Sequence, residues 1–157
     1  MKRSRQGLFF LQCYTVSMRY RVSCGVIPIH IDAQTGEIRF LLVQGHGNYW
    51  GFPKGHKEKK ETDLDTAKRE LFEEVGLTCK SYLENTMYTE RYRIRKKRGS
   101  DIIKKVLYFV GLVERTNVSL QTSELKKFGW FTFTEASVRL EKSRQAMLQQ
   151  VYTLLTE

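Results

Sequence analysis

The sequence predicts an α/β domain in which helices pack on a central β-sheet. Segments rich in β-branched and aromatic residues are separated by turn signals, and two other segments repeat apolar residues at helical spacing. The 157 residues are enough to bury one core, and a chain of this length is one ordinary domain. Strands combined with two packed helices imply a layered architecture.

The first two strands are predicted to form a hairpin. Residues 21–31 and 38–43 are both rich in strand-forming types, and the turn Asp-Ala-Gln-Thr-Gly lies between them. Pro28 favours an edge position or a bulge, because proline cannot donate to a ladder. The polar loop 44–48 and the following Trp-Gly-Phe-Pro-Lys-Gly-His are predicted to be turn and loop.

A helix is predicted from about Asp63 to Val75. Thr62 stands three residues before Asp65, a variant of the capping box, and Gly76 follows the last periodic residue as a C-terminal cap. The apolar residues at helical spacing make the buried stripe: Leu64, Ala67, Leu71 and Val75.

Three further strands and a last helix complete the prediction. Residues 81–92 and 102–113 read as two strands joined by a basic turn, and a further strand lies near 128–133. Apolar residues then recur at helical spacing from roughly 135 to 155.

The first helix also carries a cluster of carboxylates. Glu70, Glu73 and Glu74 share one arc, because positions i, i+3 and i+4 are surface neighbours. One interpretation is a solvated acidic face relieved by Lys68 and Arg69. The other is a site for Mg²⁺ or Mn²⁺, hard cations that prefer oxygen ligands.

The residues around this helix decide between the two interpretations. Gly55, Glu61 and the run Arg-Glu-Leu-Phe-Glu-Glu-Val-Gly-Leu at 69–77 have the order and spacing of the Nudix signature, so the chain resembles the Nudix hydrolases. The resemblance implies an α/β/α sandwich with a mixed central sheet over residues 19–157. It also implies metal-dependent hydrolysis of a nucleoside diphosphate linked to another group, through attack of water at phosphorus.

The resemblance also assigns roles to single residues. It implies that the carbonyl of Gly55 and the carboxylates of Glu70 and Glu74 are metal ligands, with Glu73 completing the catalytic cluster. Mg²⁺ is the expected ion, with Mn²⁺ as an alternative. Both Glu70 and Glu124 are candidates for the general base.

The flanking segments resemble the diadenosine tetraphosphate hydrolase branch of that family. The segment Tyr-Trp-Gly-Phe-Pro-Lys-Gly-His at 49–56 carries the resemblance together with 104–109 and 124–136. It implies asymmetrical cleavage of diadenosine tetraphosphate to ATP and AMP. It also implies that Lys54, His56 and Lys104 contact the phosphate chain, although each lysine alone could be a surface residue.

Two aromatic or histidine side chains are less settled. Tyr108 matches the branch's stacking tyrosine, and strand alternation places Leu107 and Phe109 on the opposite face, so Tyr108 is expected to stack on a base; its alternative is a core aromatic. His46, in Gly-His-Gly, either contacts phosphate or faces solvent.

Two other functions stay open. RNA 5′ pyrophosphohydrolases and decapping enzymes share the Trp and Pro-Lys-Gly portion. The basic turn 91–98 could track an RNA backbone, bind a long polyphosphate or be a solvated hairpin tip. A non-catalytic nucleotide-binding module would lack a metal carboxylate, and none is missing.

Charge and cysteine usage set the expected surroundings. The formal charge of +10 predicts attraction to polyanions. Three separated cysteines suggest neither a disulfide framework nor a zinc site, so a reducing cytoplasm is expected. No stretch has the length of a membrane span. Residues 1–18 are expected to be a basic N-terminal extension, with disorder an open question, and the protein is expected to be a monomer.

Overall fold

The computed structural model describes residues 19–157, so the interpretation of residues 1–18 lies outside it. Its centre is a seven-stranded mixed sheet, in which β1 and β6 run parallel and every other pair is antiparallel. The strands are β1 (Arg19–Ile31), β2 (Ile38–Gly45), β3 (Trp50–Gly51), β4 (Lys54–His56), β5 (Ser81–Ile94), β6 (Ile102–Leu112) and β7 (Leu125–Phe131).

Helices cover both faces of the sheet, which confirms the α/β/α sandwich. Helix α1 (Asp63–Val75) buries Ala67, Leu71 and Val75 against one face. Helices α2 (Phe133–Ser137) and α3 (Lys142–Thr156) pack on the other. Alternation along β6 divides its residues between the two layers, with Leu107 facing α1 and Val106 facing α3.

Helix α1 begins and ends where the sequence predicts. The hydroxyl of Thr62 accepts a hydrogen bond from the backbone N–H of Asp65 at 3.1 Å. Gly76 has a φ of 70°, the left-handed conformation that glycine adopts without steric cost, and its N–H donates to the Phe72 carbonyl. Leu64, by contrast, is only partly buried.

A central strand changes partner, and this opens a cleft. Strand β1 pairs with β4 at residues 23–25 and with β2 at 29–31. Pro28 lies between these two segments, so its missing N–H faces the gap rather than a ladder. The predicted edge position is wrong, because β1 lies inside the sheet.

Two further predictions need correction. Residues 50–56 were expected to be loop, but they include the short strands β3 and β4. The last helix is broken, because residues 138–141 leave the helix and bury Leu140. The amide of Gln145 donates to the Ser137 and Leu140 carbonyls there, satisfying backbone groups that the break exposes.

No helix within residues 19–157 combines the length and the apolar character that a membrane crossing requires.

Candidate active site

The cleft between β2 and β4 brings together most of the residues expected to act on the substrate. It has a volume of about 350 Å³. Six of the predicted site residues line it: Lys54, Gly55, His56, Glu74, Lys104 and Glu124. Residues far apart in sequence therefore line one cleft.

A side chain at position 55 would displace the carboxylate of Glu70. A Cβ on Gly55 would overlap the carboxylate carbon and both carboxylate oxygens of Glu70. The side of β4 on which Gly55 lies faces α1, since its partner Cys24 belongs to the α1 layer. Glu70 is thus held directly against the Gly55 backbone. Burial raises the pKa of Glu70, although Arg69 opposes this shift.

Glu74 is the most buried carboxylate of the cluster, with 5% of its surface exposed. Its Oε2 accepts a hydrogen bond from the Lys54 backbone N–H at 3.0 Å. Burial raises the pKa of Glu74 to about 7, because the charged form loses its hydration. A buried carboxylate with one hydrogen bond is a costly arrangement that a cation would relieve.

Arg69 links the acidic residues around the cluster. Its guanidinium donates to Glu61 at 2.6 Å, to Glu70 at 2.9 Å and to Glu73 at 3.0 Å. The hydrogen bonds from Arg69 lower the pKa of Glu61 to about 2. Glu61 therefore orients Arg69. Glu73 is half-exposed and turned toward Arg69.

The residues around Gly55 supply the oxygen ligands that a hard divalent cation prefers. Glu70, Glu74 and the Gly55 carbonyl offer only oxygen donors, the set that Mg²⁺ and Mn²⁺ prefer. Across residues 19–157, no three His, Cys, Asp or Glu side chains already stand close enough to form a metal site. Glu73 would have to leave Arg69 to join the other two carboxylates.

Basic side chains face the cleft from the other side. Lys54 and His56 project from the face of β4 opposite to Gly55, and Lys104 joins them from β6. Burial lowers the pKa of Lys104, and the nearby charges of Lys54 and Arg21 lower it further. Burial also lowers the pKa of His56. This arrangement suits an anionic ligand.

The expected stacking by Tyr108 is contradicted. Leu107 and Phe109 do lie on the opposite face, but Tyr108 is 0% exposed and contacts Phe52 edge-on at 5.6 Å between ring centroids. A base cannot stack on a ring that is covered on all sides, so Tyr108 is a core residue here. Among residues 19–157 its hydroxyl has no hydrogen-bond partner.

His46 and the basic turn 91–98 do not line the cleft. His46 is exposed. The basic turn is exposed at the tip of the β5–β6 hairpin, where Arg93 lies 3.9 Å from Asp101. Of its cations, Arg91 lines a hollow that adjoins the cleft through Tyr49 and Arg144.

Sequence reasoning missed a buried ion pair at the cleft wall. Arg144 of α3 donates to Glu90 of β5 at 3.2 Å and to the Trp50 carbonyl at 3.2 Å. The hydroxyl of Ser143 also donates to Glu90, at 3.1 Å. An isolated glutamate and an isolated arginine at such separation in sequence give no pattern, so only the fold reveals them.

Comparison of the sequence with known proteins gives consistent results. The NUDIX domain model matches residues 19–152. The asymmetrical bis(5′-nucleosyl)-tetraphosphatase of Mus musculus is 32% identical over 143 residues, covering 85% of this chain and 94% of that enzyme. The mRNA-decapping enzyme subunit 2 of Saccharomyces cerevisiae is 34% identical over 107 residues, which is 67% of this chain and 10% of that protein.

Comparison of the fold agrees. The crystal structure of a C. elegans Ap4A hydrolase binary complex superposes with a TM-score of 0.75, covering 87% of this chain and 98% of that one. At 24% identity this likeness concerns the fold alone. The chain spans about a tenth of the length of the decapping relative and nearly all of the tetraphosphatase.

Proposed function

The chain belongs to the Nudix hydrolase family, and from that premise we propose that it is a metal-dependent hydrolase of dinucleoside polyphosphates, cleaving diadenosine tetraphosphate asymmetrically to ATP and AMP. Nudix enzymes act on pyrophosphate bonds and generally use divalent metal ions. The tetraphosphatase relative, matched over nearly its whole length, supports this substrate class.

One observation carries the proposal: carboxylate and cationic side chains line the same cleft. Glu74 lies in the same cleft as Lys54, His56 and Lys104, and Glu70 packs on the adjacent Gly55. A polyphosphate chain needs both, because the cations bind its oxygens and the carboxylates bind the metal that shares its charge.

The carboxylates have distinct roles in the proposed mechanism. Glu70, Glu74 and the Gly55 carbonyl would hold Mg²⁺, or Mn²⁺ in its place, and Glu73 would join them after leaving Arg69. When bound, the ion would neutralise phosphate charge and acidify a bound water. The chain's own part is to orient the phosphates through Lys54, His56 and Lys104.

We assign the general base to Glu124 rather than Glu70. Glu124 lines the cleft and forms no ion pair with any residue of 19–157, whereas Glu70 is bound by Arg69. Glu124 would accept a proton from the attacking water while the water oxygen bonds to phosphorus and the bridging P–O bond breaks. Glu124→Gln should lower kcat by about a hundredfold and leave KM nearly constant. An unchanged kcat would return the role to Glu70.

The test of the proposed function is a substrate panel with Mg²⁺. Dinucleoside polyphosphates, nucleoside triphosphates and 5′-triphosphorylated RNA are incubated with the enzyme, and the products are identified by mass. We expect ATP and AMP from diadenosine tetraphosphate, no turnover in EDTA, and no turnover by folded Glu74→Gln. Binding without hydrolysis of any substrate would instead support a nucleotide-binding module.

A second candidate is hydrolysis at the 5′ end of RNA. The exposed basic turn at 91–98, with Arg91 in a hollow beside the cleft, favours it, and so does the similarity to the decapping enzyme. In a competition assay, preference for triphosphorylated RNA over diadenosine tetraphosphate would make this the main activity.

Two properties complete the proposal. Cys24 and Cys79 are free thiols, which supports a reducing compartment such as the cytoplasm. The protein is expected to be a monomer, and sedimentation of the purified chain would check this. A dimer mass would overturn it.

A further inference from the structure

A second hollow lies beside the cleft, on the other side of His56. It has a volume of about 450 Å³ and is lined by Tyr20, Arg21, Val22, His56 and Lys57. His56 lines both cavities and therefore marks their border. We call this the Arg21 hollow. Its border residue directly follows Gly55, the backbone position against which Glu70 packs.

The sheet aligns Arg21 with the cations of the cleft. Arg21 on β1 is in register with Lys104 on β6, and Ser23, two residues further along β1, is in register with His56 on β4. Strand neighbours in register, and residues two apart on one strand, project from the same face. Arg21, Lys104 and His56 thus project from one face of the sheet, on β1 and the two strands that flank it, about 4.8 Å apart. We call these three residues the cation row, although His56 is offset from Arg21 by two positions along β1.

This row has no anionic partner within the described part of the chain. Neither Arg21 nor Lys104 nor Lys54 forms an ion pair there, whereas Lys57 beside them is paired with Asp63 at 2.8 Å. Crowded like charges repel one another, and an anionic ligand offsets that repulsion. Arg21 is the cation of this row that lies beyond the cleft.

We propose that the Arg21 hollow is a subsite for a substrate phosphate that extends past the metal-binding carboxylates, with Arg21 as its anchor. This inference rests on the proposed function, because it takes the cleft as the site of the scissile phosphates. A polyphosphate lying over Gly55 and His56 would enter both cavities. Tyr20, 67% exposed at the hollow, offers a ring face to a base attached beyond that phosphate.

Diadenosine polyphosphates of increasing length test the subsite. KM and kcat are measured for chains of about three to six phosphates with wild type and Arg21→Gln. We expect kcat to stay nearly constant and KM to rise in the variant, by about fivefold to tenfold for the longest chain and less for the shortest. The shortest chain leaves the hollow empty, so a length-dependent penalty is the signature of the subsite.

Arg115→Gln is the matched control. It removes the same charge from an exposed arginine outside both cavities, and its KM should follow wild type at every chain length. An Arg21→Gln penalty that is absent, or equal for all lengths and matched by Arg115→Gln, would overturn the subsite.

Two further arms separate the possible sources of the phosphate and the possible failures. The affinity of wild type and Arg21→Gln is measured for triphosphorylated and 5′-hydroxyl RNA of equal sequence. A loss of affinity in Arg21→Gln that is confined to the triphosphorylated RNA assigns the phosphate to RNA. Binding of a linear inorganic polyphosphate of about six phosphates, the length of the longest dinucleotide, is measured by calorimetry without turnover. If no dinucleotide is hydrolysed, the proposed function fails. If this polyphosphate also binds wild type and Arg21→Gln equally, the subsite fails too.

Discussion

The backbone of Gly55 lies directly against the carboxylate of Glu70. Because a Cβ there would overlap the Glu70 carboxylate, Gly55→Ala must push Glu70 away from the Gly55 carbonyl. We expect kcat/KM to fall by about a hundredfold or more, since ligand displacement of about 1 Å is costly to catalysis. Steady-state kinetics across Mg²⁺ concentrations would measure the loss.

The control for Gly55 is Gly36→Ala, a turn glycine with open space around its Cβ position and a φ of 72°. It should cost stability through backbone strain but leave kcat/KM unchanged. Normal activity of Gly55→Ala would show that Glu70 has another role.

Glu74 couples stability to pH. Its folded pKa of about 7 lies above the ordinary value of 4.5, so the native state binds the proton more tightly than the unfolded state. Stability from this group is therefore present below about pH 4.5 and is lost as pH rises through 7. In metal-free protein, Glu74→Gln should raise the free energy of unfolding by about 2 kcal/mol at pH 8 and change it little at low pH.

Urea unfolding in EDTA from about pH 5 to pH 8 would measure the difference between Glu74→Gln and wild type. The exposed Glu84→Gln is the control and should show no such trend. A Glu74→Gln difference that is constant with pH would mean that Glu74 is not held in an unfavourable site. The same substitution is expected to abolish turnover, so stability and activity should move in opposite directions.

At the scale of elements, α3 is tied to the sheet by the Arg144–Glu90 pair. Arg144→Met would leave the Glu90 carboxylate buried with only the Ser143 hydroxyl as a donor. We expect a loss of about 3 kcal/mol in unfolding free energy, because an unpaired buried charge is expensive. The double variant Arg144→Met with Glu90→Leu should recover much of that loss.

Thermal and urea unfolding would measure both variants. Lys142→Met, exposed on the same helix, is the matched control and should lie within about 0.5 kcal/mol of wild type. If Arg144→Met matched that control, the pair would contribute nothing to the joint between α3 and β5.

The elements differ in how well local sequence specifies them. Helix α1 follows its prediction because its stripe, its Thr62 cap and its Gly76 terminator agree. The last helix breaks at residues 138–141, where Leu140 is buried, and periodicity alone does not show where such a break falls. Pro28 shows the same limit, since its tolerance depends on where two other strands end.

At the scale of the whole molecule, the charge of +10 should govern encounter with substrate. Arg21, Lys54 and Lys104 form no ion pair within the described residues 19–157, and they line the cleft or its neighbouring hollow. The positive field is therefore concentrated where an anion would bind. We expect kcat/KM to fall steeply as salt rises from about 0.05 to 0.3 M, through KM rather than kcat.

Kinetics at several ionic strengths would check this, with Arg115→Gln as the control that keeps the wild-type slope. If kcat/KM does not change with ionic strength, electrostatic attraction does not govern the encounter with substrate. A much steeper slope for triphosphorylated RNA than for diadenosine tetraphosphate would support contact with the basic turn.

The sequence alone determined the family, the sandwich fold, the span of α1 and the glycine and glutamates of the signature, because these depend on local spacing and on fixed residue types. Only the tertiary structure decided that Tyr108 is covered, that His46 is exposed and does not line the cleft, that Arg144 and Glu90 pair at its wall, and that Arg21 lies beside the cations of the cleft. Exposure and pairing depend on what other segments place beside a residue, and that information is distributed over the whole chain rather than written near the residue itself.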